Sequence, residues 1–135
     1  MRIIHLEDDE IIAEFVQILC DGHDYTWARR SDEAVALAMR QSFDLAFIDL
    51  GLRGGDTGLH FMRWLAEHDS RTYRVLMSGV ATHEVSELFD MADATLDKPF
   101  TARGFAQSLV DACARIDSAS GRKRPDSPPG PGNIR

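Results

Sequence analysis

Short apolar runs alternate with longer amphipathic segments along most of the chain. The runs have the length and the β-branched or aromatic content of strands, and in the segments between them apolar residues recur at helical spacing. The first such segment covers residues 11–19 and stops at Asp21-Gly22. The predicted strands are residues 2–6, 24–29, 43–50, 73–78 and 94–97.

Helix-start signals support the same alternation. Ser31 is predicted to cap the second helix, Thr82 a short fourth helix that ends near Met91, and Thr101 the last helix. Five strands that alternate with helices indicate an α/β fold with a doubly wound parallel sheet, because parallel strands need crossover connections. The nearly continuous apolar run at 43–50 is typical of a central strand covered on both faces.

Composition bounds the domain organisation. The chain has 135 residues, of which 44% are hydrophobic, so there is material for one domain with a sizeable core. Residues 1–117 are expected to form that domain. Residues 118–135 are rich in Pro, Gly and Ser without periodicity, and we interpret them as a disordered basic tail or a linker.

Charge and targeting signals narrow the function class. The net charge of -7 divides unevenly: residues 1–117 have 11 basic and 21 acidic residues, or -10, and residues 118–135 have 4 and 1, or +3. Such an acidic domain would repel phosphate backbones, so direct nucleic-acid binding is not expected. Only Cys20 and Cys113 are present, without the spacing of a zinc site. No apolar run approaches the roughly 20 residues that span a bilayer, and no signal peptide is evident. The expectation is a soluble, cytoplasmic protein.

Acidic residues end two of the predicted strands. Glu7 and Asp8 follow the first strand, and Asp49 ends the third. Ligands of open parallel sheets bind beyond the carboxyl ends of the strands, where these side chains converge. Two carboxylates about 4 Å apart repel by about 4 kcal/mol at an effective dielectric constant of about 20, so the cluster needs a cation. The hard oxygen ligands suit Mg²⁺.

Two further strand ends carry groups that fit phosphoryl chemistry. Lys98, the single lysine of the predicted domain, supplies a point charge for a phosphoryl oxygen, and Ser78 supplies a hydroxyl donor. A carboxylate such as Asp49 can act as nucleophile toward phosphorus. His5, inside the first strand, is interpreted as a packed histidine and not as a metal ligand.

With these residues in place, the chain resembles the receiver domains of bacterial two-component response regulators over residues 1–117. The resemblance implies the flavodoxin-like five-stranded order 2-1-3-4-5. It also implies a bound Mg²⁺, ligated directly by Asp8 and Asp49, through water by Glu7, and by the backbone carbonyl of Gly51. The matching motifs are Glu7-Asp8, Asp49 in FDLAFIDLGL, Ser78 in VLMSG and Lys98 in KPF.

The resemblance further implies a function. A histidine kinase or histidine phosphotransfer protein donates a phosphoryl group to Asp49, the domain hydrolyses it slowly, and a downstream protein reads the changed surface. Two features depart from the family pattern. Thr95 stands where the family has an aromatic switch, and Arg53 stands where many members have proline. The segment between Ser78 and Lys98 is also short, so we expect an unusual output face and a mobile loop near the metal.

Three alternatives remain at this point. The chain is a stand-alone receiver that signals by protein contact, or the receiver fragment of a longer regulator whose output domain is missing. From a different class, it is an Mg²⁺-dependent phosphohydrolase of small phosphoesters. Such enzymes often carry a second acid two residues after the nucleophile, where this chain has Gly51.

Overall fold

The computed structural model describes residues 1–52, 54–79 and 86–120. Strands and helices alternate through these residues, as the hydrophobic pattern predicts. The strands are β1 (Arg2–Leu6), β2 (Asp24–Ala28), β3 (Leu45–Asp49), β4 (Tyr73–Ser78) and β5 (Ala94–Asp97). The helices are α1 (Glu10–Leu19), α2 (Ser31–Arg40), α3 (Leu59–His68), α4 (Ser86–Met91) and α5 (Ala102–Ser120).

The strands form one parallel sheet in the order β2-β1-β3-β4-β5. This is the doubly wound, flavodoxin-like order that the family resemblance implies, and it is confirmed. β1 and β3 are neighbours in space although β2 lies between them in sequence. The chain therefore changes direction across the sheet between β1 and β3, and the ends of these two strands flank the crevice where such folds bind ligands.

Two apolar layers cover the sheet, one on each face. The layer that includes Phe61 and Leu65 joins α2 and α3 to one face, and the layer that includes Phe105 and Val16 joins α1 and α5 to the other. All five residues of β3 are buried, as expected for a central parallel strand. Both faces of the sheet are therefore covered, which holds the strand ends in fixed positions.

Helix starts agree with the sequence signals at one place and differ at another. Thr101 Oγ1 accepts a hydrogen bond from the Gly104 amide at 2.9 Å, so its predicted capping role is confirmed. The prediction that Ser31 caps α2 is wrong, because Arg30 occupies the cap position and the Ser31 hydroxyl donates to Asp56 instead. Thr82 lies outside the described residues.

The last helix is longer than the sequence pattern indicates. α5 continues to Ser120, so residues 118–120, which we assigned to the tail, are helical. Small residues such as Ser and Ala at its end carry no apolar periodicity but are compatible with a helix, which explains the error. None of the helices in the described part of the chain is long and apolar enough to cross a membrane.

Gly58 fixes the start of α3 against the end of β3. Its φ is +79°, and a Cβ at this position would lie 2.8 Å from the side chain of Ile48 and 3.3 Å from the carbonyl oxygen of Asp49. Both the backbone conformation and the close approach require glycine. The loop that follows Asp49 is therefore held tightly at its far end.

Candidate functional site

The polar residues predicted from the strand ends converge at the carboxyl edge of the sheet. Glu7 and Asp8 follow β1, Asp49 ends β3, and Lys98 follows β5. β1, β3, β4 and β5 are adjacent and parallel, so residues distant in sequence share one edge. The order of the strands in the sheet therefore brings these side chains together.

Glu7, Asp8 and Asp49 form a compact acidic cluster. Each offers a carboxylate oxygen, and these oxygens all lie within 4.8 Å of one another. Glu7 and Asp49 are each only 1% exposed. Three hard oxygen donors at this spacing fit a divalent cation that keeps part of its water shell, as Mg²⁺ does.

The ammonium group of Lys98 contacts the buried carboxylate of Asp49. Its Nζ donates to Asp49 Oδ1 at 2.8 Å, and the Gly51 amide donates to the same oxygen at 3.0 Å. Burial alone lowers the pKa of Lys98, but the hydrogen bond and the negative charge of Asp49 outweigh it and raise that pKa. The lysine is therefore fully protonated near neutral pH and lies against the end of β3.

One positive charge does not balance three carboxylates. Burial, and then the charge of Asp49, raise the pKa of Glu7 to about 8. A carboxyl group with so high a pKa shows how strongly the site disfavours another negative charge. A bound divalent cation would relieve this repulsion, so the electrostatics of the cluster agree with its geometry.

Ser78 ends β4 on the same edge of the sheet. It is 5% exposed, and its backbone carbonyl accepts a hydrogen bond from the Lys98 amide at 2.7 Å. This bond ties the end of β4 to the residue that carries the site lysine. The hydroxyl and the ammonium group are thus supplied by adjacent strand ends.

Trp27 supports the segment that carries the acidic pair, a role that the sequence did not indicate. Its indole Nε1–H donates to the backbone carbonyl of Glu7 at 2.7 Å, and the Arg29 guanidinium lies 4.3 Å from the ring centroid. Asp9 caps α1 through bonds to the amides of Ile11 and Ile12. The turn between β1 and α1 is therefore fixed by Trp27 at the end of β1 and by Asp9 at the start of α1.

Asp56 anchors the loop that follows Asp49, and sequence reasoning missed it. Its carboxylate accepts the Ser31 amide at 2.8 Å, the Ser31 hydroxyl at 2.7 Å and the Gly58 amide at 3.0 Å. Partial burial favours a higher pKa for Asp56, but these hydrogen bonds lower it. An aspartate two residues before a glycine is a common turn signal, which was the available clue.

The predicted switch position lies apart from this cluster. Thr95 lies in β5 opposite Leu76 of β4, and its side chain is exposed. The six residues of α4 follow residues outside the description, and Arg53 also lies outside it. The structure thus places Thr95 on the surface, while the expectation for loop motion at Arg53 stays a prediction.

A doubly wound parallel sheet, an acidic cluster that could hold a divalent cation and a lysine on one buried aspartate are together typical of a phosphoacceptor signalling domain. The family model for the response regulator receiver domain matches residues 3–110. The chain therefore belongs to the response regulator receiver domain family, as the sequence motifs indicated. No curated protein matches the chain.

Solved structures share the fold at low sequence identity. The CheY-like receiver domain protein from Methanospirillum hungatei JF-1 is 20% identical with a TM-score of 0.77, over 87% of this chain and 97% of that chain. The signal receiver domain of a putative Luxo repressor protein from Vibrio parahaemolyticus is 19% identical with a TM-score of 0.77, over 88% and 94%. NtrX from Brucella abortus is 22% identical with a TM-score of 0.76, over 88% of this chain and 28% of that chain.

Membership of the family sets the class of activity. Receiver domains are regulatory phosphoacceptor domains and not classical enzymes, and they typically use Mg²⁺ at an acidic pocket. Glu7, Asp8 and Asp49 form an acidic cluster at the corresponding edge of the sheet.

Proposed function

We propose that this chain accepts a phosphoryl group on Asp49 from a histidine kinase or a histidine phosphotransfer protein and passes the signal on by protein contact. The observation that carries the proposal is the buried Asp49 carboxylate, bonded to Lys98 at 2.8 Å and surrounded by two further acids. A carboxylate that belongs to an acidic cluster able to hold a cation, and that accepts a hydrogen bond from a fixed ammonium group, is positioned to receive a phosphoryl group on one of its oxygens.

The transfer exchanges one bond to phosphorus for another. A carboxylate oxygen of Asp49 forms the new O–P bond while the P–N bond to the donor's phosphohistidine breaks, and the imidazole nitrogen keeps the electron pair. Lys98 then binds a phosphoryl oxygen, and the Ser78 hydroxyl donates to another. Water later attacks the phosphorus of the acyl phosphate, the O–P bond to Asp49 breaks, and inorganic phosphate and the Asp49 carboxylate are released.

The acidic cluster would hold Mg²⁺ during this reaction. Asp8 and Asp49 are the proposed direct ligands together with the Gly51 carbonyl, and Glu7 acts through water. The metal supplies positive charge that stabilises the phosphoryl oxygens. Burial and then the charge of Asp49 raise the pKa of Glu7 to about 8, and this supports the assignment because a nearby cation would favour the ionised form of a carboxyl group in such surroundings.

We place the donor on the apolar surface of α1. Ile11, Phe15 and Ile18 follow one another at helical spacing and are 78%, 38% and 72% exposed. Phe15 stacks on Phe100 with ring centroids 6.1 Å apart, beside a cleft of about 430 Å³ that Lys98 also lines. A helix that carries the phosphohistidine can cover this surface and reach Asp49 past Lys98.

The readout is proposed to be a protein contact that does not use an aromatic switch. Thr95 has no ring that could turn inward, so the surface of β5 has to report the phosphoryl group in another way.

The second possibility, a receiver fragment of a longer regulator, draws support from NtrX, since the match covers only 28% of that chain. Continued coding after Arg135 in the genome would favour this second possibility.

Phosphotransfer with and without Mg²⁺ tests the central proposal. A radiolabelled phosphoramidate should label the wild-type chain in the presence of Mg²⁺ and leave the Asp49→Asn variant unlabelled. Asp44→Asn serves as the matched control, because Asp44 lies in the same segment but is exposed at the opposite end of β3. Label that still reaches the Asp49→Asn variant, or that needs no Mg²⁺, contradicts the proposal.

A further inference from the structure

His5 is a buried polar residue next to the acidic cluster that the phosphotransfer scheme does not use. It lies in β1 with 0% exposure, two residues before Glu7. Its Nδ1 lies 2.7 Å from Tyr25 Oη, and its Nε2 faces Glu7 Oε1 at 3.7 Å. The first distance is a hydrogen bond, but the second is too long for one.

Two buried polar atoms face each other across that longer distance. Within the part of the chain that the structure describes, neither His5 Nε2 nor Glu7 Oε1 has a hydrogen-bond partner. Buried polar atoms without a partner are rare and costly. Because the two atoms are aimed at each other, a movement of less than about 1 Å would satisfy both.

The same heavy atoms admit two arrangements of the ring proton. Tyr25 Oη lies 3.2 Å from the Ala13 carbonyl. In the first arrangement Tyr25 donates to Ala13, and His5 donates Nδ1–H to Tyr25. In the second, Tyr25 donates to His5 Nδ1, and the ring presents Nε2–H to Glu7. Ala13 lies inside α1, so its carbonyl keeps its helical bond when Tyr25 turns away.

We propose that His5 is a positioning residue for Glu7, donating Nε2–H to Glu7 Oε1 when the acidic cluster holds a divalent cation. This inference rests on the metal site of the proposed function. A carboxylate that faces a cation is an acceptor only, so a bare ring nitrogen would repel it and an N–H would orient it. Hydrogen bonds of this kind commonly fix the carboxylates around a metal.

The position of the ring proton is directly measurable. Long-range ¹H–¹⁵N correlation spectra of the wild-type chain distinguish Nδ1–H from Nε2–H, and replacing the other four histidines one at a time assigns the remaining signals to His5. With saturating Mg²⁺, His5 should carry its proton on Nε2. Tyr25→Phe removes the hydrogen-bond partner of His5 Nδ1. In this variant the His5 ring should therefore carry its proton on Nε2 both with and without Mg²⁺. A wild-type ring that carries Nδ1–H with Mg²⁺ bound overturns the inference.

Metal affinity provides the second measurement. Mg²⁺ is titrated against tryptophan fluorescence in a Trp64→Phe background, which leaves only Trp27, whose indole donates to the Glu7 carbonyl. His5→Leu should weaken binding by about 10-fold, the usual scale for losing such a supporting hydrogen bond. His5→Gln places an amide nitrogen near the position of Nε2 and should restore most of that loss. His60→Leu, which removes an exposed histidine from α3, is the matched control for histidine loss and should leave binding unchanged.

These outcomes separate the inference from the proposed function. Wild-type chain that binds Mg²⁺ while folded His5→Leu binds it equally well overturns the role of His5 alone. Wild-type chain that binds no Mg²⁺ overturns the proposed metal site, and this inference with it. If circular dichroism shows that His5→Leu is unfolded, the ring-proton position in wild type and in Tyr25→Phe decides the matter.

Discussion

The proposed phosphoacceptor pocket and the α4–β5 side of the sheet differ in how firmly their side chains are held. In the pocket, Asp49 is 1% exposed and accepts hydrogen bonds from Lys98 and Gly51. On the α4–β5 side, the residues of β5 alternate between half-buried and exposed. There α4 is joined to α3 by the Arg63–Glu87 ion pair, in which each side chain is more than half exposed.

This difference separates accepting a phosphoryl group from reporting it. The pocket is built from buried carboxylates whose positions the central strands fix, so its geometry tolerates little change. An exposed ion pair contributes only about 0–1 kcal/mol, and Phe89 and Met91 are only partly buried against the core. Displacing α4 would therefore cost little free energy.

The largest expected effect is the loss of the lysine from the pocket. Lys98→Met keeps most of the stem but removes the charge that reaches Asp49 Oδ1, so phosphotransfer from phosphoramidate should slow by about 100-fold. Initial rates of labelling at saturating Mg²⁺ measure this. Arg103→Met, which removes an exposed charge at the start of α5, is the control and should leave the rate of labelling unchanged. A wild-type rate in the Lys98→Met variant would show that phosphotransfer does not need the contact between Lys98 and Asp49.

A smaller effect is expected at the proposed donor surface. The double variant Ile11→Ser/Ile18→Ser should slow transfer from a phosphorylated protein donor by about 10-fold, since it removes two exposed anchors of an apolar contact. Transfer from phosphoramidate should not change, because the pocket is intact. Met39→Ser/Val110→Ser removes exposed apolar residues elsewhere, at 70% and 60% exposure, and is the matched control. Equal losses with both donors would argue against a docking role.

The anchor at Asp56 should have a moderate effect on stability. Asp56→Ala removes three hydrogen bonds, but the group is partly solvated, so we expect a loss of about 1 kcal/mol in the free energy of unfolding at pH 7. Because hydrogen bonding lowers the pKa of Asp56 below its ordinary value of 3.8, its contribution is complete above that value. The contribution is lost as the pH falls through the lowered pKa.

Urea unfolding of wild type and Asp56→Ala at several pH values measures this contribution. The difference between the two chains should be constant from pH 7 down to about pH 5 and then shrink in more acidic solution. Asp32→Ala, in the first turn of α2 and exposed, is the control for general charge effects. A difference that grows on acidification would mean that the Asp56 pKa is raised and that the anchor is misassigned.

The smallest effect is expected at Thr95. Thr95→Val should leave the rate of phosphotransfer unchanged, because this exposed side chain lies apart from the carboxylate cluster. Beryllofluoride, a mimic of the phosphoryl group, should nevertheless shift the amide resonances of β5 and α4 in both chains. A rigid α4 whose resonances do not move would contradict the proposed difference between the pocket and the α4–β5 side.

The sequence predicted the parts of the site that depend only on strand order. Parallel strands bring their carboxyl ends to one edge, so Glu7, Asp49 and Lys98 could be placed together without coordinates. Their residue types then limited the chemistry. Strand and helix alternation also predicted a parallel sheet with both faces covered, whereas the order of its strands followed from the family resemblance.

Contacts between a loop and a distant helix were not predictable in this way. Ser31 has the sequence signature of a helix cap, yet its hydroxyl donates to Asp56, 25 residues further along the chain. This bond depends on how the loop after β3 folds over α2, which no local pattern records. Similarly, the contact between His5 and Tyr25 depends on the register of β1 against β2 and on the tilt of two rings.

Gly58 also divides the loop after β3 into a part that can be engineered and a part that cannot. Added atoms at Gly54 or Gly55 would meet nothing within 4 Å, whereas at Gly58 they would collide with Ile48. A short tag or a fluorophore attachment site inserted between Gly54 and Gly55 would extend into open space. The same insertion at Gly58 would push α3 away from the strand that ends in Asp49. A reporter for this receiver therefore belongs at the middle of the loop.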